Sequence, residues 1–94
     1  MSEENILNGV DVNAVTALIN TVNEKPDLGK CKFRVNNEWI DGGHSRTTIT
    51  GFYGAGQEIA HTQKFTVEAD EPPIMAGRDQ AANPVEHLLN ALTT

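Results

Sequence analysis

At 94 residues the chain has room for one small domain, and a chain this short buries a modest share of its surface and often gains stability from a partner. Seven basic against thirteen acidic residues give a formal charge of -6, with no Lys/Arg run to neutralise successive phosphates, which argues against nucleic acid as a partner. The composition is ordinary for a folded soluble domain, the start Met1-Ser2-Glu3-Glu4-Asn5 is acidic where a signal peptide is basic, and no apolar run approaches the about 18 residues of a membrane span, so the expected address is the cytoplasm without a membrane partner.

From Asp11 to Asn23 the apolar residues Val12, Val15, Ile19 and Val22 recur at helical spacing, with Asp11 as N-cap and Pro26 just beyond the end. The valines are poor helix formers, so this amphipathic helix depends on docking its stripe. After Pro26-Asp27-Leu28-Gly29 the period becomes two, with Cys31, Phe33 and Val35 on one face and Lys30, Lys32 and Arg34 on the other. This predicts a half-buried strand running through Trp39 and Ile40 to a turn at Asp41-Gly42-Gly43. A second strand is predicted from about Ser45 to Tyr53, and a third from Thr62 to Ala69, ended by Pro72-Pro73.

The stretch from Pro72 to Ala82 has no period and reads as a connection. Asn83 and Pro84 then occupy favoured N-cap and N1 positions, and Val85, Leu88, Leu89 and Leu92 form one apolar face. No glycine, basic turn or proline follows Leu92 to end this helix, so the expectation is that it continues and that these residues belong to a larger functional unit. The fold class expected is α+β: an N-terminal helix and linker over 1–29, antiparallel strands in a three-stranded meander over 30–73, and a loop with the start of a central helix over 74–94, together a single partial domain.

Few residues announce chemistry. Cys31, on the apolar face of a strand, reads as a small buried hydrophobe, with no cation on that face to lower its pKa. His44, His61 and His87 lack metal-ligand spacing, so no metal is expected. Gly54-Ala55-Gly56 resembles the start of a dinucleotide turn, but the third glycine is missing and a strand follows, so no cofactor is expected either. Glu86, three places after Asn83, reads equally as the carboxylate of a capping box and as a site residue. Arg46, beside the Gly42-Gly43 turn, is commonplace when considered alone.

The runs Trp39-Ile40-Asp41-Gly42-Gly43-His44-Ser45-Arg46, Gly51-Phe52-Tyr53-Gly54-Ala55-Gly56-Gln57-Glu58, Asp70-Glu71-Pro72-Pro73 and Asn83-Pro84-Val85-Glu86-His87-Leu88-Leu89 change those readings. Taken in order, over nearly the whole chain, they resemble the N-terminal half of an OsmC/Ohr-type protein. The resemblance implies a homodimer in which strands from two subunits form mixed sheets around long central helices. It implies a thiol peroxidase activity in oxidative stress defence: a cysteine thiolate on the central helix attacks the O–O bond of an organic hydroperoxide, and a second cysteine resolves the sulfenic acid to a disulfide. A dithiol then restores the enzyme.

The resemblance further implies an arginine that stabilises the thiolate and a glutamate that orients it, and it places these roles on Arg46 and Glu86. In the peroxidase pattern the glutamate directly follows the Asn-Pro pair; here Val85 stands there and Glu86 one place later, a turn of about 100° around the helix. Neither redox cysteine is present in these residues, the family spacing putting the first immediately after Thr94, and Cys31 corresponds to neither. The 94 residues alone are therefore expected to be inactive. The alternative expectation is a non-catalytic module that dimerises or binds a small ligand.

Overall fold

The computed structural model describes residues 5–94, so the acidic start at Met1 to Glu4 lies outside the described residues. The chain divides into two compact units, Met1–Phe33 with Phe52–Ile59, and Arg34–Gly51 with Ala60–Thr94.

The first unit opens with a feature the periodicity did not predict, a hairpin of β1 (Ile6–Leu7) and β2 (Val10–Asp11). Its turn residues Asn8 and Gly9 have φ of 52° and 80°, the left-handed pair that a two-residue hairpin turn demands and that Asn-Gly tolerates. Helix α1 (Val12–Glu24) follows directly, with the Asp11 side chain accepting from the Ala14 N–H at 3.1 Å, as expected of its N-cap. Pro26 starts a 3-10 turn, Pro26–Gly29, rather than a linker without structure. Strand β3 (Lys32–Phe33) then pairs with Tyr53 and Phe52, and the Phe33 and Phe52 rings stack at 5.3 Å. Cys31 stands just before this strand and is exposed, where the alternation predicted a buried position.

The second unit carries β4 (Asn36–Asp41), most of β5 (His44–Gly54) and most of β6 (Gln57–Ala69). Strands β4 and β5 are antiparallel with Glu38 opposite Arg46, Asn37 opposite Thr47 and Trp39 opposite Ser45; the register shifts between Trp39 and Asp41 before the turn at Gly42, whose φ is 57°. Strand β6 also pairs with β5. The α+β class and the antiparallel pairing are therefore present, the predicted first strand is divided into β3 and β4, and β5 pairs with β3, β4 and β6. The predicted third strand begins at Gln57 rather than Thr62, because Ala55 and Gly56, at φ of 50° and 76°, turn the chain within two residues.

After β6 the loop makes a 3-10 turn at Pro73–Met75 and leads to α2 (Pro84–Thr93). The Asn83 side chain accepts from the Glu86 N–H at 2.8 Å, and the Glu86 carboxylate accepts from the Asn83 N–H at 3.1 Å. This capping box satisfies two N–H groups that the first turn leaves open.

The pleat sorts the strand side chains between two faces. Asn37, Ser45, Thr47, Ile49, Val67 and Ala69 line a cleft of about 660 Å³ together with Pro84, His87 and Ala91, so α2 lies over this face. His44, Arg46, Glu38 and Glu68 occupy the opposite face.

Among the described residues no hydrophobic side chain is buried, and β4, predicted as half-buried, is exposed throughout. Phe33, Trp39, Val85, Leu88, Leu89 and Leu92 each expose more than half of their surface. The alternating pattern that predicts burial for Phe33 is real, but nothing in this single chain covers that side chain.

Candidate functional site

The densest group of chemically capable side chains lies on the face of the second unit away from α2. Residues two apart on a strand point the same way, so His44 and Arg46 of β5 share this face, flanked by Glu38 of β4 and Glu68 of β6. Glu68 Oε1 is 2.9 Å from His44 Nε2 and 3.3 Å from an Arg46 terminal nitrogen, Nη2. A carboxylate only accepts, so His44 donates from Nε2. On its other side Arg46 Nη1 stands 3.9 Å from Glu38 Oε1. The His44 side chain is 17% exposed and those of Arg46 and Glu68 are 42% and 41%, so the group is sheltered yet open to solvent.

The two donors hold Glu68 below its ordinary pKa, His44 through its hydrogen bond most strongly and Arg46 next, against the opposing pull of partial burial. Glu68 also ties down α2: His87 Nε2 is 2.7 Å from the Glu68 backbone oxygen, so the ring donates from that nitrogen to a carbonyl.

Two residues further on, Asp70 is 1% exposed. Its carboxylate accepts from the Glu71 N–H at 2.7 Å and from the Gln80 N–H at 3.2 Å. The Glu71 bond chiefly holds its pKa below the ordinary value, with the Gln80 and Arg78 N–H groups and the nearby His44 adding to it against burial. Asp70 is thus the peg on which the loop after β6 is folded. Gly43 makes room for it, since a Cβ there would stand 3.2 Å from Asp70 Oδ1. Arg78 and Asp41, 3.0 Å apart, connect the loop to the end of β4, and a pocket of about 300 Å³ opens between them, lined also by His44, Asp70 and Gln80.

The two residues that the resemblance singled out are not brought together within this chain. Arg46 is committed to Glu68 and Glu38. Glu86 is committed to the Asn83 cap, at the start of the helix that covers the other face. The sequence does not group Glu68 and Asp70 with His44 and Arg46, because that grouping depends on which strand lies beside which. The one available signal was parity, since His44 and Arg46 alternate on a single strand.

Cys31 belongs to the first unit, where it helps line an apolar cleft of about 630 Å³ with Leu18, Ile19 and Val22 of α1 and with Leu28, Phe52 and Ile59. Its Sγ lies 3.8 Å from the Gly29 carbonyl oxygen.

Among the described residues no three His, Cys, Asp or Glu side chains are placed to hold a metal ion, and no helix is long and apolar enough to cross a membrane. The chain matches no protein-family model and no curated protein.

Proposed function

We propose that these residues form the N-terminal part of an OsmC-like protein that reduces organic hydroperoxides with a cysteine thiolate, acting as a cytoplasmic homodimer with a dithiol reductant. The observation that carries this reading is an arginine, Arg46, fixed at the start of β5 between the carboxylates of Glu68 and Glu38 and still 42% exposed. A guanidinium held in that way can stabilise a thiolate and the charge that develops on a cleaved peroxide oxygen.

Further support comes from where the resembling runs fall. The first makes the β4–β5 turn, the second the β5–β6 turn, the third begins at the buried Asp70, and the fourth opens a capped helix. Because α2 lies over the other face of its own sheet, the proposal has a second subunit's helix bring the thiolate to Arg46. The exposed apolar side chains, among them Phe33, Trp39, Leu88 and Leu92, agree with such a dimer.

The test is hydroperoxide consumption with a dithiol, by the 94 residues alone and by the protein as its source cell makes it. Turnover is expected only from the natural protein, and Arg46→Ala should remove most of it. Turnover by the 94 residues that disappears in Cys31→Ser would overturn the proposal, as would a natural protein without activity.

A second reading, a non-catalytic module that binds a small apolar ligand, is favoured by the cleft along α1. It predicts a stable oligomer that is indifferent to thiol reagents.

A further inference from the structure

We propose that the pocket of about 300 Å³ between the β4–β5 turn and the loop after β6 binds a small neutral amide, with the His44 imidazole accepting from its N–H and Arg78 donating to its carbonyl oxygen. This site goes beyond the peroxide chemistry and needs neither Arg46 nor a thiolate.

The pocket is held open by contacts to both of its walls. The Asp70 carboxylate gathers the loop N–H groups of Glu71 and Gln80, and the 3.0 Å contact between Arg78 and Asp41 ties the loop to the turn. The loop takes this shape with two non-glycine residues, Ala76 and Asp79, in left-handed backbone at φ of 66° and 57°. That conformation costs energy in an L-residue and persists where the surroundings impose it. A loop whose one task was to link β6 to α2 would have no need of it.

His44 brings an aimed acceptor to this space. Its Nε2 donates to Glu68 at 2.9 Å, which in the neutral ring leaves Nδ1 as an acceptor. Among the described residues Nδ1 has no protein partner, and no buried side-chain nitrogen is left unpaired, so Nδ1 meets open space at the pocket that His44 lines. The Glu68 bond fixes the ring, so a ligand finds this acceptor already oriented. Arg78 supplies the donor: Nη1 is taken by Asp41, and the rest of the guanidinium fork has no partner among the described residues.

Charge decides the class of ligand. Arg78 is paired with Asp41, and Asp70 with the N–H groups it gathers, before any ligand enters. A carboxylate ligand would have to displace Asp41 or stand beside Asp70, and a cation would face Arg78. A neutral amide carries a donor and an acceptor in one plane and satisfies both sides without adding a charge.

Acetamide, acetate and acetamidinium share one shape and differ in charge, so titrating each at neutral pH into the nitrogen-labelled 94-residue chain tests the assignment by NMR. Acetamide should shift the signals of Gly43, Gly77, Gln80 and the His44 ring together, saturably, and at several-fold lower concentration than either ion. His44→Phe, which keeps a ring but removes the acceptor, should weaken acetamide about tenfold, as should Arg78→Leu, whose exposed position keeps the readout available if His44→Phe does not fold. Asp41→Asn loosens the same tie as Arg78→Leu but leaves the guanidinium in place, so it should not weaken binding. Shifts that never saturate, an ion that binds as tightly as acetamide, or Asp41→Asn weakening binding as much as Arg78→Leu would overturn the proposal.

Discussion

Arg46 and Glu68 meet across β5 and β6, with a guanidinium nitrogen 3.3 Å from the carboxylate oxygen that also takes His44 Nε2 at 2.9 Å. Two residues along, the buried Asp70 takes the loop amides of Glu71 and Gln80. Glu68 and Asp70 both have pKa values below the ordinary carboxylate range in the fold. In acid the unfolded chain therefore binds the extra protons, so the stabilisation is complete above that range and drains away as the pH falls from about 4 through the folded values. Melting temperatures should be level near neutrality and drop in acid. Asp70→Asn should lower the plateau and flatten the drop; an acid slope identical to that of the parent chain would contradict this role.

The cap of α2 separates a structural from a chemical role for Glu86. Asn83→Ala should cost about 1 kcal/mol in urea unfolding, through the lost bond to the Glu86 N–H. Glu86→Gln should cost little, since glutamine serves the same place in a capping box. A natural protein that keeps its stability but loses hydroperoxide turnover with Glu86→Gln would show that the carboxylate takes part in the reaction.

The loop after β6 tolerates no side chain at Gly77. A Cβ there would collide with the Glu71 carbonyl group, and backbone cannot move aside as a flexible side-chain tip can. Gly77→Ala should therefore destabilise the chain by about 2 kcal/mol or more, with the largest chemical-shift changes at Glu71 and Asp79, whose backbone bond of 3.0 Å closes the loop. Shift changes confined to residue 77 itself would count against this packing.

Much of the local structure was legible in the sequence because it rests on neighbours along the chain. Asp11 and Asn83 cap their helices through side-chain oxygens that reach three residues ahead, and both caps form. The run of β-branched residues Thr47, Thr48, Ile49 and Thr50 in β5 marks a strand. The pair Asn8-Gly9 is an Asn-Gly turn signal, but the strands beside it are two residues long and show no period. The Cys31, Phe33 and Val35 stripe predicted burial that one chain does not provide, Phe33 being 75% exposed. Glu68 and Asp70 could not be found in advance, since their partners lie 22 and 10 residues away, at Arg46 and Gln80, and come close only when the sheet and loop are formed.

The uncovered apolar faces make the oligomeric state a sharp prediction. Sedimentation should give a species of twice the chain mass. Leu88→Asp with Leu92→Asp, at α2 positions 58% and 73% exposed, should return it to a monomer that melts less cooperatively. A parent chain that is a monodisperse monomer with a sharp cooperative melt would contradict the need for a partner.

The proposed peroxide chemistry needs a thiolate that α2, from Pro84 to Thr93, does not itself carry. Peptide sequencing of the protein isolated from its source cell by mass spectrometry tests this most directly. The proposal predicts a chain that runs on past Thr94 with a cysteine as the next residue, alkylated by iodoacetamide and oxidised by organic hydroperoxide. A natural chain with a different residue at that place, or one in which Thr94 is the C-terminus, would contradict it.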